Sequence, residues 1–156
     1  MLFFECKLLR ENAQLPKKAH DTDAGYDCFI SQFARPDKDG SVTTLPDQKL
    51  VLKHGERILC QLGFATKFPT GYYAQLCPRS GLALKKGLMT IIGTIDAGYR
   101  GEWGAIVVNL GDDTELELGM KICQFIFKKI DDVIVKFVHD LSMDGDRQGG
   151  FGSTGH

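Results

Sequence analysis

An all-β fold is what this chain predicts, a barrel or jelly-roll sandwich with at most one short helix. Three observations carry that expectation. Apolar and polar residues alternate with period two in segment after segment, glycine, proline and aspartate punctuate the segments, and helical stripes are weak. A closed or double-sheet arrangement also protects the edges that so many short strands would otherwise expose.

The elements follow in order. "LFFECKLL" reads as an opening strand. "ARPDKDGSVTTLPDQK" is polar, carries two prolines and reads as an exposed loop or hairpin insertion. "KLVLKHGERILCQLGFATKF" reads as two short strands about a His-Gly-Glu turn, and "GYYAQLCPRS" alternates until Pro78 stops it. "SGLALKKG" is the best helical candidate, a turn or two, with Gly81 and Gly87 suited to tight turns on either side. "WGAIVVNLG" is strand-like. "MKICQFIFKKI" sets Ile122, Gln124 and Ile126 against Cys123, Phe125 and Phe127, and "DVIVKFV" continues the alternation. From "HDLSMDGDRQGG" onward the composition turns polar and glycine-rich, the mark of a mobile tail. The expected organisation is one β domain over 1–141 and a flexible C-terminal arm over 142–156.

Bulk properties exclude several function classes. With 156 residues, 43% hydrophobic, the chain supports a single core. Nineteen basic against twenty acidic residues give a net charge of -1, so no general attraction to nucleic acid or anionic membrane is expected. No run approaches the roughly 20 apolar residues that span a bilayer, and the N-terminus is too short and charged for a secretion signal. Five widely spaced cysteines without a CxxC pair fit buried free thiols in a reducing compartment, cytoplasmic or nuclear, better than a zinc site. Neither a P-loop nor a G-x-S-x-G elbow occurs, and Ser80 has no histidine at a spacing that implies acyl transfer.

Three interior segments carry candidate chemistry. In "TDAGYDCF", Asp23 and Asp27 form either a solvated turn or a carboxylate site near a hard cation. In "PRSGLA", Arg79 offers a fork of donors suited to phosphate, Ser80 a hydroxyl, and Gly81 a backbone that an anion can approach. The same residues suit a plain helix start, which also presents free amides. In "GTIDAGYRGEW", a β-hairpin with a tight Ala97-Gly98 turn would offer backbone groups able to read the edge of a planar ring. Asp96 is then either an acidic turn residue or a general base for water. Tyr99 is either a half-buried aromatic or a surface against a sugar.

Together these segments resemble the trimeric deoxyuridine triphosphatase (dUTPase) family. "DAGYD", "PRSGLA", "GTIDAGYRGEW", "GMKICQFIF" and "GGFGSTG" match its five motifs in order, spanning residues 23–155. The resemblance implies a distorted jelly roll and a homotrimer whose three active sites are each shared between chains. It implies hydrolysis of dUTP to dUMP and pyrophosphate with Mg²⁺. Carried over residue by residue, Asp96 resembles the base that activates water. Tyr99 resembles the platform beneath deoxyribose, and the backbone at Gly93 and Ile95 the reader of uracil. Asp27 resembles the carboxylate that reaches the metal through water. Arg79, Ser80 and Gly81 match the phosphate contacts, with Ser80 near the α–β bridge and Gln124 beside the phosphates and the catalytic water. Arg147, Phe151, Gly152, Ser153 and Thr154 resemble a closing arm, with Phe151 over the base. Two other readings share the fold: a dCTP deaminase or bifunctional relative, and a non-catalytic nucleotide-binding or regulatory protein.

Overall fold

The computed structural model describes residues 2–142, 144 and 145. Thirteen strands and one helix follow one another as β1 (Glu5–Leu8), β2 (Gly25–Phe29), β3 (Gln32–Pro36), β4 (Val42–Leu45), β5 (Lys49–Leu52), β6 (Arg57–Gln61), β7 (Phe64–Lys67), β8 (Tyr72–Cys77), α1 (Ser80–Lys86), β9 (Leu88–Thr90), β10 (Gly93–Asp96), β11 (Gly104–Asn109), β12 (Thr114–Glu117) and β13 (Lys121–Lys129). A four-stranded sheet runs β10-β8-β13-β2 and a five-stranded sheet β4-β3-β6-β11-β9, with two-stranded ladders β1-β7 and β12-β5 completing the sandwich. Every pairing is antiparallel. The all-β expectation with one short helix therefore holds.

The core lies between the sheets. Trp103, Phe33, Phe64, Leu52, Ile58 and Leu116 are wholly buried, each contributing about 1.5–3 kcal/mol of apolar transfer. Beneath the four-stranded sheet, Phe125 stacks on Tyr26 at 5.0 Å and on Phe4 at 5.2 Å between ring centroids. This aromatic layer supports the strands whose other face carries the polar site. Cys28, Cys60 and Cys123 are buried and all five cysteines are free; desolvation raises the Cys60 thiol pKa well above its ordinary value, which suits structural rather than reactive thiols.

Local chemistry explains the elements. α1 starts after Arg79, in extended backbone, and stops at Gly87, whose φ of 65° is the left-handed conformation a glycine adopts without strain. The insertion is a hairpin, β3 against β4, with Asp37 and Asp39 bonding Ser41 and Thr43 across the turn.

Four local expectations change. The 49–67 stretch forms three strands, because Gly63, with φ of 77°, turns the chain between β6 and β7. Residues 93–109 are not a hairpin: a turn closes from Tyr99 N to Asp96 O at 3.0 Å, but β10 pairs with β8 and β11 with β6 and β9. In β13 the alternation breaks at a bulge. Lys121 pairs with Phe29 and Cys123 with Cys28, so Ile122 joins Cys123 in the interior. Finally, "DVIVKFV" forms no strand within this chain. It is extended and open, with Ile134 96% and Val135 94% exposed, because a strand needs an edge to pair with and none among the described residues takes it.

Candidate active site

The outer face of the four-stranded sheet carries the polar groups. Register sets the rows: Asp27 on β2 lies opposite Gln124 on β13, which lies opposite Cys77 on β8. After Cys77, Pro78 ends the strand and Arg79 leads into α1. Asp27, Gln124, Arg79 and Ser80 thus converge because three strands end their polar rows beside one turn.

Asp27 is held between two cations. Its Oδ1 lies 3.2 Å from Arg79 Nε and its Oδ2 2.8 Å from Lys121 Nζ, while Arg79 Nη1 also donates to the Lys121 carbonyl at 3.0 Å. Arg79 and Lys121 thus stand together beside Asp27, and with Asp23 nearby the charges of the cluster balance. The Gln124 amide donates to Pro78 O at 3.1 Å. A pocket of about 200 Å³ is lined by Asp23, Gly25, Asp27, Arg79, Ser80, Gly81 and Gln124. Its volume lies below the roughly 300–1,000 Å³ of a typical ligand site.

Two glycines there have different causes. A Cβ on Gly25 would sit 2.1 Å from Gln124 Oε1 and 2.9 Å from its Cδ, so Gly25 makes room for that amide. A Cβ on Gly81 would meet nothing within 4 Å. The fold of one chain therefore does not demand a glycine at 81. Gly25→Ala is expected to push the Gln124 side chain aside and break its bond to Pro78, lowering kcat/KM about tenfold. The thermal midpoint should stay within a few degrees, since only the end of a flexible side chain must move. Steady-state kinetics with a melting curve checks both.

The "GTIDAGYRGEW" residues stand apart from this pocket. Asp96 pairs with Tyr73, whereas Gln124 pairs with Cys77, on the same sheet face. Four residues along β8 and two strand spacings across separate them, about 13 Å and about 10 Å. β10 is an edge strand, so one row of its backbone donors and acceptors is open. The Ile95 side chain packs against the core, and a Cβ on Gly93 would make only ordinary contact, 3.5 Å from Leu76. Tyr99 is 44% exposed and its hydroxyl donates to Glu102 O at 2.9 Å. Arg147, Phe151, Gly152, Ser153 and Thr154 lie outside the described residues.

Lys121 is the site residue that sequence reasoning missed. Strict alternation places it on the inner face with Cys123; the bulge at Ile122 turns it outward beside Asp27. The only signal available was the lysine itself, at a position where the period-two pattern asks for a core residue.

Asp27 also decides how a metal would fit. Both its oxygens already face cations, so direct coordination by the protein is disfavoured, and among the described residues no cluster of three His, Cys, Asp or Glu side chains could hold an ion. Its remaining lone pairs fit a water of a hydrated Mg²⁺, which keeps several waters and commonly rides on substrate phosphates.

The chain is an antiparallel β-sandwich that carries on one sheet face a small polar pocket and, apart from it, a carboxylate at the end of an edge strand. A family model described as dUTPase matches residues 11–155, and the chain belongs to the dUTPase family as one of its enzymes. It is 43% identical over 152 residues to the deoxyuridine 5'-triphosphate nucleotidohydrolase of Clostridium tetani, covering 96% of this chain and 94% of that one. The protein of the same name from Hydrogenobaculum sp. is 40% identical, covering 96% and 95%. Among solved structures, a Staphylococcus bacteriophage 80alpha dUTPase mutant with dUpNHpp superposes with a TM-score of 0.78 at 26% identity, covering 99% of both chains. A point mutant of the dUTPase from phage phi11 of S. aureus, described as coordinating a structural Mg(II) ion, gives 0.72 at 25% identity, covering 88% of this chain and 97% of that one.

Proposed function

We propose that this enzyme hydrolyses dUTP to dUMP and pyrophosphate at sites shared between the chains of a homotrimer. One observation carries the reading: the phosphate pocket and the Asp96 carboxylate sit on one sheet face but too far apart to act on one phosphorus. A second copy supplying its Asp96 strand to the pocket of the first resolves that separation. The small size of the pocket supports the same arrangement, because base and sugar then lie against the neighbour's β10 and Tyr99. The bared apolar stretch 133–138 gives the assembly a further reason to form. Beside β1, a groove of about 550 Å³ lined by Phe4, Cys6, Tyr26 and Phe127 can receive such a segment from a neighbour.

The roles are those the family resemblance implies, and the lining of the pocket supports the ones given to Arg79, Ser80, Gly81 and Gln124. Arg79, the Ser80 hydroxyl, the Gly81 backbone and Gln124 orient the triphosphate, with Ser80 at the α–β bridge, and Lys121 and Arg79 offset its charge. Bound Mg²⁺ would neutralise charge on the departing pyrophosphate, and Asp27 would meet it through water. Asp96 positions a water for attack on the α-phosphorus and takes its proton, so no covalent intermediate is required. The open backbone at Gly93 and Ile95 reads the uracil edge, and Tyr99 lies beneath the deoxyribose. The resemblance implies that the C-terminal arm would complete the site, with Phe151 over the base and Ser153, Thr154 and nearby amides on the γ-phosphate.

Among the described residues, no helix is long and apolar enough to cross a membrane. Five free thiols support a reducing compartment, cytoplasm or nucleus.

Pyrophosphate and ammonia release from a panel of dUTP, dCTP, dTTP and UTP, with and without Mg²⁺, tests the reading. Pyrophosphate from dUTP alone, stimulated by Mg²⁺, is expected. Ammonia from dCTP would replace it with the deaminase reading, and no turnover of any nucleotide with the binding-protein reading.

A further inference from the structure

The segment after Asp96 is braced by residues that touch neither the phosphate pocket nor the Asp96 carboxylate. Glu102 is the centre of the brace. Its carboxylate accepts both terminal nitrogens of Arg10, Nη2 at 2.7 Å, and the backbone N–H of Gly63 at 2.9 Å. The pair is sheltered, with side-chain exposures of 27% for Arg10 and 17% for Glu102, so solvent screens it less than a surface ion pair. Gly63 sits where no side chain fits: a Cβ there would lie 2.6 Å from both Ala13 Cβ and Ser31 Oγ. Glu102 is therefore fixed at three points to two separate parts of the chain.

That anchor reaches the Tyr99 ring. The Tyr99 hydroxyl donates to the Glu102 carbonyl at 2.9 Å. The ring lies across Gly101, where a Cβ would meet Tyr99 Oη at 2.4 Å and Cζ at 2.6 Å, so only glycine lets it settle there. On the other side of the turn, Arg100 Nη1 donates to Ala97 O at 2.6 Å and Tyr99 O at 3.0 Å. Backbone and ring are both tied down while the residue stays 44% exposed.

We propose that Arg10 and Glu102 are positioning residues for sugar selection: by fixing the Tyr99 ring they make it a rigid surface that a ribose 2'-hydroxyl cannot displace. The proposal rests on the reading that Tyr99 underlies the sugar. A ring free to shift by an ångström would accept the extra oxygen, so rejection of the ribonucleotide depends on the brace and not on the tyrosine alone. Recognition of the base, which belongs to the β10 backbone, does not depend on it.

The experiment compares kcat/KM for dUTP, UTP and dCTP in the wild-type assembly and in Tyr99→Leu, Glu102→Gln, Arg10→Met and Arg10→Lys. Glu102→Gln and Arg10→Met are expected to lower the preference for dUTP over UTP about tenfold and to leave the preference for dUTP over dCTP unchanged. Arg10→Lys, which keeps the charge but not the paired bonds, should fall between them and wild type, and it keeps the measurement available if the other two fail to assemble. If Tyr99→Leu loses sugar preference while the folded brace variants, Arg10→Lys included, keep it, the positioning proposal is overturned. Should Tyr99→Leu itself keep full preference, the sugar reading of Tyr99 fails instead. An equal loss of both preferences in the brace variants would mark a general structural role and also overturn it.

Discussion

Asp96→Asn is expected to lower kcat by about 10²–10⁴-fold, the usual worth of a general base, while nucleotide affinity stays within a few-fold of wild type. The choice of Asp96 over Asp27 follows from what surrounds each. Asp27 is clamped between Arg79 and Lys121 at 3.2 and 2.8 Å, so both of its oxygens are already engaged and neither is left to hold an attacking water alone. Among the described residues, no cation engages the Asp96 side chain, which stands exposed at the end of an edge strand. Asparagine keeps the shape and a hydrogen-bonding oxygen, so a water can still bind, but it cannot take the proton. Single-turnover pyrophosphate release, set against calorimetric titration with the non-hydrolysable dUpNHpp, separates the two effects. Turnover at the wild-type rate would remove Asp96 from the chemistry. Loss of affinity in proportion to rate would make it a binding group.

The legible part of the fold was the part governed by alternation. β8, β11 and most of β13 bury every second residue, and period two is visible without a structure. The bulge was not legible: Ile122 reads as an outward residue in a regular strand, and only its entry into the core reveals that Lys121 has been turned toward Asp27. The same limit explains the missing hairpin. Residues 93–109 have the turn chemistry of one, but which sheet each strand joins is settled by packing around Trp103, whose backbone N–H bonds Phe64 and whose carbonyl accepts from Leu62. "DVIVKFV" has a strand's pattern without a partner inside the chain, and a pattern cannot say whose edge it will meet. The first, second and fourth motif residues were expected in one site, and the structure brings them together around one pocket. Short-range spacing marked Asp96 as chemically interesting, but the distance from Asp96 to that pocket emerges only once strand registers are known.

That distance leads to the second large effect. If each site joins the pocket of one chain to the Asp96 strand of another, two inactive variants should repair each other. Asp96→Asn retains an intact pocket; Arg79→Ala retains an intact Asp96 and loses the guanidinium that orients phosphate. Each homotrimer alone should be nearly inactive. Denatured together in equal amounts and allowed to reassemble, they form mixed rings in which a site works only when an Asp96→Asn chain gives the pocket and an Arg79→Ala chain gives the carboxylate. Random mixing around a closed heterologous ring places that combination at about a quarter of the interfaces, so about a quarter of wild-type activity should return. Mixing without denaturation is the control and should return little if the assembly is stable. A site contained within one chain predicts no recovery in either protocol, because every pocket would then carry one defect or the other. The Arg79 variant suits this role because its guanidinium holds Asp27 by one ion pair while Lys121 holds it by another. The carboxylate therefore keeps a partner, and the chain is expected to fold and assemble.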